Sequence, residues 1–354
     1  MTDPTTPVPS PSDPVDEVSF SAGPPDPFTP PPQRQPGRLL AGCLSFCGLL
    51  LVLLVLGGLV LLIIATFRGD GRGLFEEEVS GSAGTRKVVL IELTGIIAET
   101  QAGVFSPGVG PVEDVREKLD RAATDEDVAA VVLAIDSPGG TVTASDQLWR
   151  EVSRFREETG KPVVVHTGAL CASGGYYVAV GADKIVCEPT TITGSIGVVL
   201  TMLNFHELLD KHGVRDVTIT SAPHKDLLSP LAPVDDKDQA ILQNVVDQAH
   251  QRFVAIVAEG RNMPEARARE LADGRIYTAK EAVSLGLADV VGYRDEAERL
   301  AHRLAGVDQA RLVRYVRPLT LTDLLRGGGQ SPLGEARSQL DRLRTPRLLA
   351  MWMP

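Results

Sequence analysis

Between Leu39 and Phe67 the chain carries no charged residue, and from Leu49 to Ile64 it is almost wholly Leu, Val, Ile and Gly. At about 1.5 Å per residue, roughly 20 such residues span the ~30 Å hydrocarbon core of a bilayer. The run predicts one transmembrane helix over 39–67, in contact with membrane lipid. A cleaved signal peptide fits less well, because the run follows a 38-residue tail and shows no A-x-A exit. Leu40-Ala41-Gly42-Cys43 has the look of a lipoprotein box, but Cys43 precedes most of the apolar stretch instead of following it. Arg34 and Arg38 flank one end and Arg68 and Arg72 the other, so the positive-inside count leaves orientation open.

Residues 1–38 are crowded with proline and poor in aliphatics. Such a segment cannot bury enough apolar surface to offset chain entropy, and a disordered tail is expected. The net charge of −11 and the lack of a basic stripe argue against a nucleic-acid partner. Four cysteines form no metal pattern; Cys171 and Cys187 read as two buried free thiols in preference to a disulfide.

Residues 68–86 read as a Gly- and Glu-rich linker and 87–307 as a compact α/β domain. Strands are predicted at Val88–Ile91, Val128–Ile135, Pro162–Val165, Lys184–Val186 and Val214–Thr220. Helices are predicted at Val112–Ala123, Ser145–Glu158, Gly175–Val180, Asn204–Lys211 and Asp235–Glu259. Such alternation implies parallel strands with crossover helices, and the unbroken apolar run at 128–135 implies a strand buried on both faces. Thr278 with Glu281 marks a capping box opening a further helix, which Gly286 stops. Residues 308–354 form an Arg-rich tail, either a surface strap or an oligomer contact.

Three glycine-rich corners fall where α/β folds place their sites: Asp136-Ser137-Pro138-Gly139-Gly140, Ala172-Ser173-Gly174-Gly175, and Thr193-Gly194-Ser195-Ile196-Gly197. A serine hydroxyl attacks well from a tight turn with backbone N–H groups aimed at the developing oxyanion. Ser173 fits that need, with Gly174, Gly139 and Gly140 as candidate donors and a helix dipole behind it. Taken alone, the turn favours a plain helix-capping serine. Cys171 is a rival nucleophile, but its apolar flanks suggest a packed thiol.

A base is required, and none of the six histidines has a setting that singles it out. Lys225, in Ser221-Ala222-Pro223-His224-Lys225-Asp226-Leu227-Leu228-Ser229-Pro230, is the alternative. A lysine acts as a base only when neutral, about one in a thousand molecules near pH 7.4. Lowering its pKa by about 2–3 units through burial costs about 3–4 kcal/mol and yields a usable amine. Considered alone, Lys225 is an ordinary solvated loop residue.

Five ordered motifs change that balance. Ser137-Pro138-Gly139-Gly140, Ala172-Ser173-Gly174-Gly175-Tyr176-Tyr177, Thr193-Gly194-Ser195-Ile196-Gly197-Val198, Lys225-Asp226-Leu227-Leu228-Ser229-Pro230 and Gly274-Arg275-Ile276-Tyr277 together resemble the signal peptide peptidase A family in its short form, over roughly Val88–Gly292. The resemblance implies a Clp/crotonase-type fold and a Ser–Lys dyad, with Ser173 as nucleophile, Lys225 as general base and Ser195 as a residue that orients the lysine. It also implies hydrolysis of remnant signal peptides on the extracytoplasmic face of the cell membrane, by a homo-oligomer whose dyads are completed across subunit boundaries. For Ser229, followed by Pro230, a helix cap is the simpler reading. Ala222 and Ala279 stand where the family often has glycine, and neither change removes a reacting group. No metal or other cofactor is expected, and no P-loop is present. Two rival functions are a crotonase-type acyl-CoA enzyme, which shares the glycine corners, and a catalytically silent membrane scaffold.

Overall fold

The computed structural model describes residues 51–58, 73–80, 84–99, 109–317 and 348–351. Two compact units, Met1–Gly69 and Asp70–Pro354, divide the chain. In the first, residues 51–58 are helical; the rest of the expected 39–67 span and the proline-rich 1–38 segment lie outside the described residues. Among the described residues no helix is long and apolar enough to cross a membrane.

The second unit is built on a nine-stranded sheet. Its strands are β1 (Phe75–Ser80), β2 (Lys87–Thr94), β3 (Val128–Ser137), β5 (Val163–Ala172), β6 (Lys184–Cys187), β7 (Ile192–Gly194), β9 (Ile276–Thr278), β10 (Val290–Val291) and β11 (Arg311–Val316), with main order β1-β11-β2-β3-β5-β6-β10. All pairings from β11 to β10 along that order are parallel. A parallel sheet needs cover on both faces, and β3 accordingly buries Val131, Leu133 and Ile135 in one core and Ala130 and Val132 in the other. Each fully buried valine or leucine contributes about 1.5–3 kcal/mol.

The larger core lies under α1 (Pro111–Thr124), α2 (Val142–Thr159), α3 (Gly174–Ala179) and part of α5 (Asp236–Gly260). Helix α4 (His206–Lys211) buries no residue, and α6 (Glu265–Leu271) and α7 (Ala279–Ser284) complete this side. The smaller core lies under α8 (Arg294–Ala305) through Ala297 and Ala301. Helix ends follow local chemistry: the Asp235 side chain caps α5 by accepting the Asp238 N–H at 2.7 Å, and Thr278 and Glu281 form the expected capping box.

The sheet extends past both expected limits, 87 and 307. β1 comes from the expected linker and pairs antiparallel with β11 from the expected tail. Glu76, Glu77 and Glu78 made β1 look solvated, yet Glu77 meets Arg314 at 2.9 Å and Glu76 meets Lys87 at 2.9 Å. Opposite charge across the ladder makes an acidic strand tolerable. Strand β5 runs on from Val165 to Ala172, because Thr167 faces Thr191 at 3.0 Å and β7 pairs with its end.

The strand expected at Val214–Thr220 is absent. Val217 is 84 % exposed and Ile219 95 % exposed, and no neighbouring strand among the described residues offers them an edge or a core. The N-terminal half of α5 is likewise uncovered, with Ile241 and Val245 exposed while Phe253, Ile256 and Val257 are buried. A second, three-stranded sheet has the order β4-β12-β8, from β4 (Gly139–Thr141), β8 (Val199–Leu200) and β12 (Leu348–Met351).

Candidate active site

Parallel strands that end together bring their following turns to one edge. β3 and β5 are in register through Ser137 and Cys171, and β5 and β7 through Ala172 and Gly194. The three glycine corners are therefore side by side. The Gly274–Tyr277 motif joins them because β9 pairs antiparallel with β7, Thr193 opposite Tyr277 and Gly194 opposite Ile276. A Cβ on Gly194, whose φ is +84, would overlap the Tyr277 ring. These two motifs need each other sterically.

Ser173 links β5 to α3 with φ 51 and ψ −115. A non-glycine residue held there costs about 1–3 kcal/mol and persists only when its surroundings over-determine it. Its N–H donates to the Gly194 carbonyl at 2.8 Å, and its carbonyl accepts from the Tyr177 N–H at 2.8 Å. The Tyr176 hydroxyl ties the helix down by donating to the Leu287 carbonyl at 2.7 Å. Ser173 itself is 1 % exposed. Although it occupies the N-cap position, its side chain makes no capping hydrogen bond. Its hydroxyl has no partner among the described residues, so helix capping does not account for it.

Ser195 also has positive φ, 48, and its N–H donates to the Arg275 carbonyl at 2.8 Å. The Ser173 N–H bonds to the Gly194 carbonyl, and Ser195 is the next residue in the chain after Gly194.

The glycine loop after β3 sorts its donors. Ser137 Oγ donates to the Gly95 carbonyl at 2.6 Å and accepts the Gly139 N–H at 3.0 Å. That bond engages Gly139, expected as an oxyanion donor, and leaves Gly140 and Gly174. Ile97 bonds to this loop through Gly139 O at 2.9 Å and Thr141 N at 2.8 Å, so the Gly140 N–H and C=O face the other way. A Cβ on Gly140 would overlap the Ile97 backbone. Gly174 is the first residue of α3, and its N–H has no acceptor a turn earlier. The sequence reading gave Ser137 no role; a serine two residues before a glycine N–H was the available signal.

Lys225 makes no hydrogen bond to Ser173 or Ser195 among the described residues. It sits in a turn, exposed, with no side-chain hydrogen bond or ion pair among the described residues. Its N–H donates to the Ala222 carbonyl at 3.2 Å, and Ala222 is not among the residues with positive φ, so alanine fits there. Ser229 Oγ accepts the Leu231 N–H at 3.3 Å, a turn contact and not a helix cap. No histidine bonds to Ser173: His166 pairs with Glu188 at 3.1 Å, His224 with Asp238 at 2.8 Å, and His250 with the Ala272 carbonyl at 2.8 Å. Cys171 and Cys187 are free and buried. Burial, with Cys187 and Asp136 adding to it, pushes the Cys171 thiol well above its ordinary range and leaves it a poor nucleophile.

The sequence model of Peptidase family S49 matches residues 155–308. A provisionally named signal peptide peptidase SppA of Enterococcus faecium is 35 % identical over 68 % of this chain and 70 % of its own. A provisionally named protease of Synechocystis is 38 % identical over 69 % of this chain and 84 % of its own. The chloroplastic serine protease SPPA of Arabidopsis thaliana is 34 % identical over 73 % of this chain and 39 % of its own, longer length. Mixed α/β architecture, a parallel sheet and the glycine corners fit a Clp/crotonase-like peptidase, and the chain belongs to family S49 as a serine peptidase of the signal peptide peptidase A family.

Proposed function

We propose that this protein is a membrane-anchored endopeptidase that cleaves extended peptides, remnant signal peptides among them, through Ser173 and Lys225. The observation that carries this reading is Ser173 itself: a buried serine in a strained turn between strand and helix, its hydroxyl making no capping bond and having no partner among the described residues. The Lys225 amine takes the Ser173 proton as Oγ attacks the peptide carbonyl. The N–H groups of Gly140 and Gly174 hold the oxyanion, and Ser195 orients the lysine. Collapse expels the amine product, and water then hydrolyses the acyl-enzyme.

In this reading Lys225 reaches Ser173 from a neighbouring copy of the chain. Lys225 shares its arm with Leu203, Phe205, Leu208, Val217 and Ile219, all exposed in a single chain. An uncovered apolar surface of that kind fits contact with another protomer. The same contact would strip water from the amine and favour its neutral form. The test is labelling by a fluorophosphonate probe of wild type, Ser173→Ala and Lys225→Ala. Wild type should label and both variants should not; labelling that survives loss of Ser173, or ignores loss of Lys225, overturns the dyad.

A further inference from the structure

Lys225 belongs to a segment that the rest of the fold holds at few points. The residues after it are fastened to the start of α4: the Phe205 N–H donates to the Pro230 carbonyl at 2.7 Å, Asn204 Nδ2 to the Ala232 carbonyl at 2.8 Å, and His206 Nδ1 to the Leu231 carbonyl at 3.2 Å. Between Arg215 and Leu228, one hydrogen bond among the described residues reaches a helix or strand. It joins His224 Nδ1 to Asp238 Oδ1 at 2.8 Å. His224 immediately precedes Lys225.

Both ends of that bond are stiff. Ala222-Pro223-His224-Lys225 is a tight turn, closed by the Lys225 N–H on the Ala222 carbonyl at 3.2 Å, with proline at the second position, where its fixed φ fits. His224, at the third position, is not among the residues with positive φ, as a type I turn requires. Asp238 lies in the first turn of α5, where its N–H donates to the capping Asp235 carboxylate at 2.7 Å and its own charge suits the helix dipole. An ionised carboxylate only accepts, so Nδ1 is the donor whether the ring is neutral or charged. The other half of α5 is packed in the core, with the Phe253 ring 4.6 Å from that of Tyr177, on the helix that Ser173 opens. One helix thus rests on the serine's helix at one end and clasps the lysine's turn at the other.

We propose that His224 and Asp238 are positioning residues for the general base: their bond sets where the Lys225 amine is presented. The proposal rests on the reading of Lys225 as that base, and holds whichever copy's serine the amine reaches. Neither side chain touches substrate or takes a proton in the reaction. Lysine carries its charge on a flexible four-carbon stem, so the placement of its backbone is what the fold can fix. A general base must stand within hydrogen-bond reach of the proton it removes. Misplacing a reacting group by about 1 Å can slow a reaction about a hundredfold. The His224 side chain is 48 % exposed, and a pair so exposed adds little to stability. The clasp therefore acts on rate far more than on folding.

Three substitutions in the full chain test this. Asp238→Ala removes the acceptor, His224→Phe removes the donor without altering α5, and Asp238→Asn keeps an oxygen that accepts the Nδ1 proton. Asp238→Ala and His224→Phe should each lower kcat on a peptide, and the rate of fluorophosphonate labelling, by about ten- to a hundredfold. KM should stay within about twofold of wild type, because the base adds nothing to ground-state binding. Melting temperature and oligomer size should match wild type. Asp238→Asn should recover kcat to within about threefold of wild type, since the hydrogen bond survives without the charge. Should Asp238→Ala fray the start of α5, His224→Phe carries the test. Undiminished kcat in His224→Phe overturns the proposal. So does a loss confined to KM, to melting or to oligomer size, or an Asp238→Asn protein as slow as Asp238→Ala. Lys225→Ala separates this from the wider reading. If it labels like wild type, the dyad fails and the clasp with it; if it is dead while His224→Phe is fully active, the clasp alone fails.

Discussion

The Ser173 N–H donates to the Gly194 carbonyl at 2.8 Å, which fastens the turn after β5 to the end of β7. Ser195, next along, is fastened in turn to the Arg275 carbonyl at 2.8 Å. Strain at Ser173 is thus held from both strands and from α3, and exposes to chemical test a conformation the residue would not choose by itself.

Replacing Ser173 by glycine should separate stability from function. Glycine tolerates positive φ, so relief of about 1–3 kcal/mol of strain is opposed by about 0.5–1 kcal/mol of added chain entropy in the unfolded state. Ser173→Gly is expected to melt at or above the wild-type temperature with no hydrolysis, and Ser173→Ala to melt near wild type. A Ser173→Gly protein several degrees less stable would show that the hydroxyl has a structural bond.

If Lys225 serves a neighbour's serine, two dead variants should rescue each other. Ser173→Ala supplies an intact lysine and Lys225→Ala an intact serine, so co-refolded mixtures should regain peptidase activity and fluorophosphonate labelling in proportion to mixed contacts. Either variant refolded alone should stay inactive. Mixtures as dead as their components would place the lysine of each chain on its own serine.

Cys171 should prove a bystander. It is fully buried and its thiol is pushed up by burial, so thiol reagents should modify it only after unfolding. Cys171→Ala should keep fluorophosphonate labelling and lose about 1–2 kcal/mol of stability from the missing packing. Abolished labelling in a folded Cys171→Ala protein would revive the rival nucleophile.

Asp289 offers a pH-dependent test of the fold. Burial alone would raise its pKa, but hydrogen bonds from Arg261 at 2.9 Å, the Ile185 N–H at 2.8 Å and Lys184 at 3.0 Å outweigh it and hold the carboxyl below its ordinary range. A depressed carboxylate adds stability above its unfolded pKa of about 3.9, and the contribution is lost as pH falls through the lower folded value. Asp289→Asn should therefore cost about 2–3 kcal/mol near neutral pH, partly because Arg261 loses its partner. In denaturant titrations the gap to wild type should persist down to about pH 4 and close below it.

Much of this was legible in the residues. The unbroken apolar run of β3 required a parallel strand covered on both faces, and Thr278 with Glu281 wrote its own helix start. Both features depend on neighbours in sequence, so local pattern suffices. β1 was not legible: a Glu-Glu-Glu run reads as solvated until the arginines of β11, more than 200 residues away, are placed beside it. Val214–Thr220 failed in the opposite sense, since strand-forming residues make no strand without an edge to pair with.

At the site the division is the same. The sequence by itself determined that a serine stands on a glycine turn at a strand end, because glycine spacing and apolar flanks are local properties. Only the tertiary structure decided that this serine is strained and free of a capping bond, that Ser137 engages Gly139, and that β12 faces Gly140. Each of those depends on which strands lie side by side. Pairing across tens to hundreds of residues is set by the packing of the whole sheet, and no window of sequence contains it.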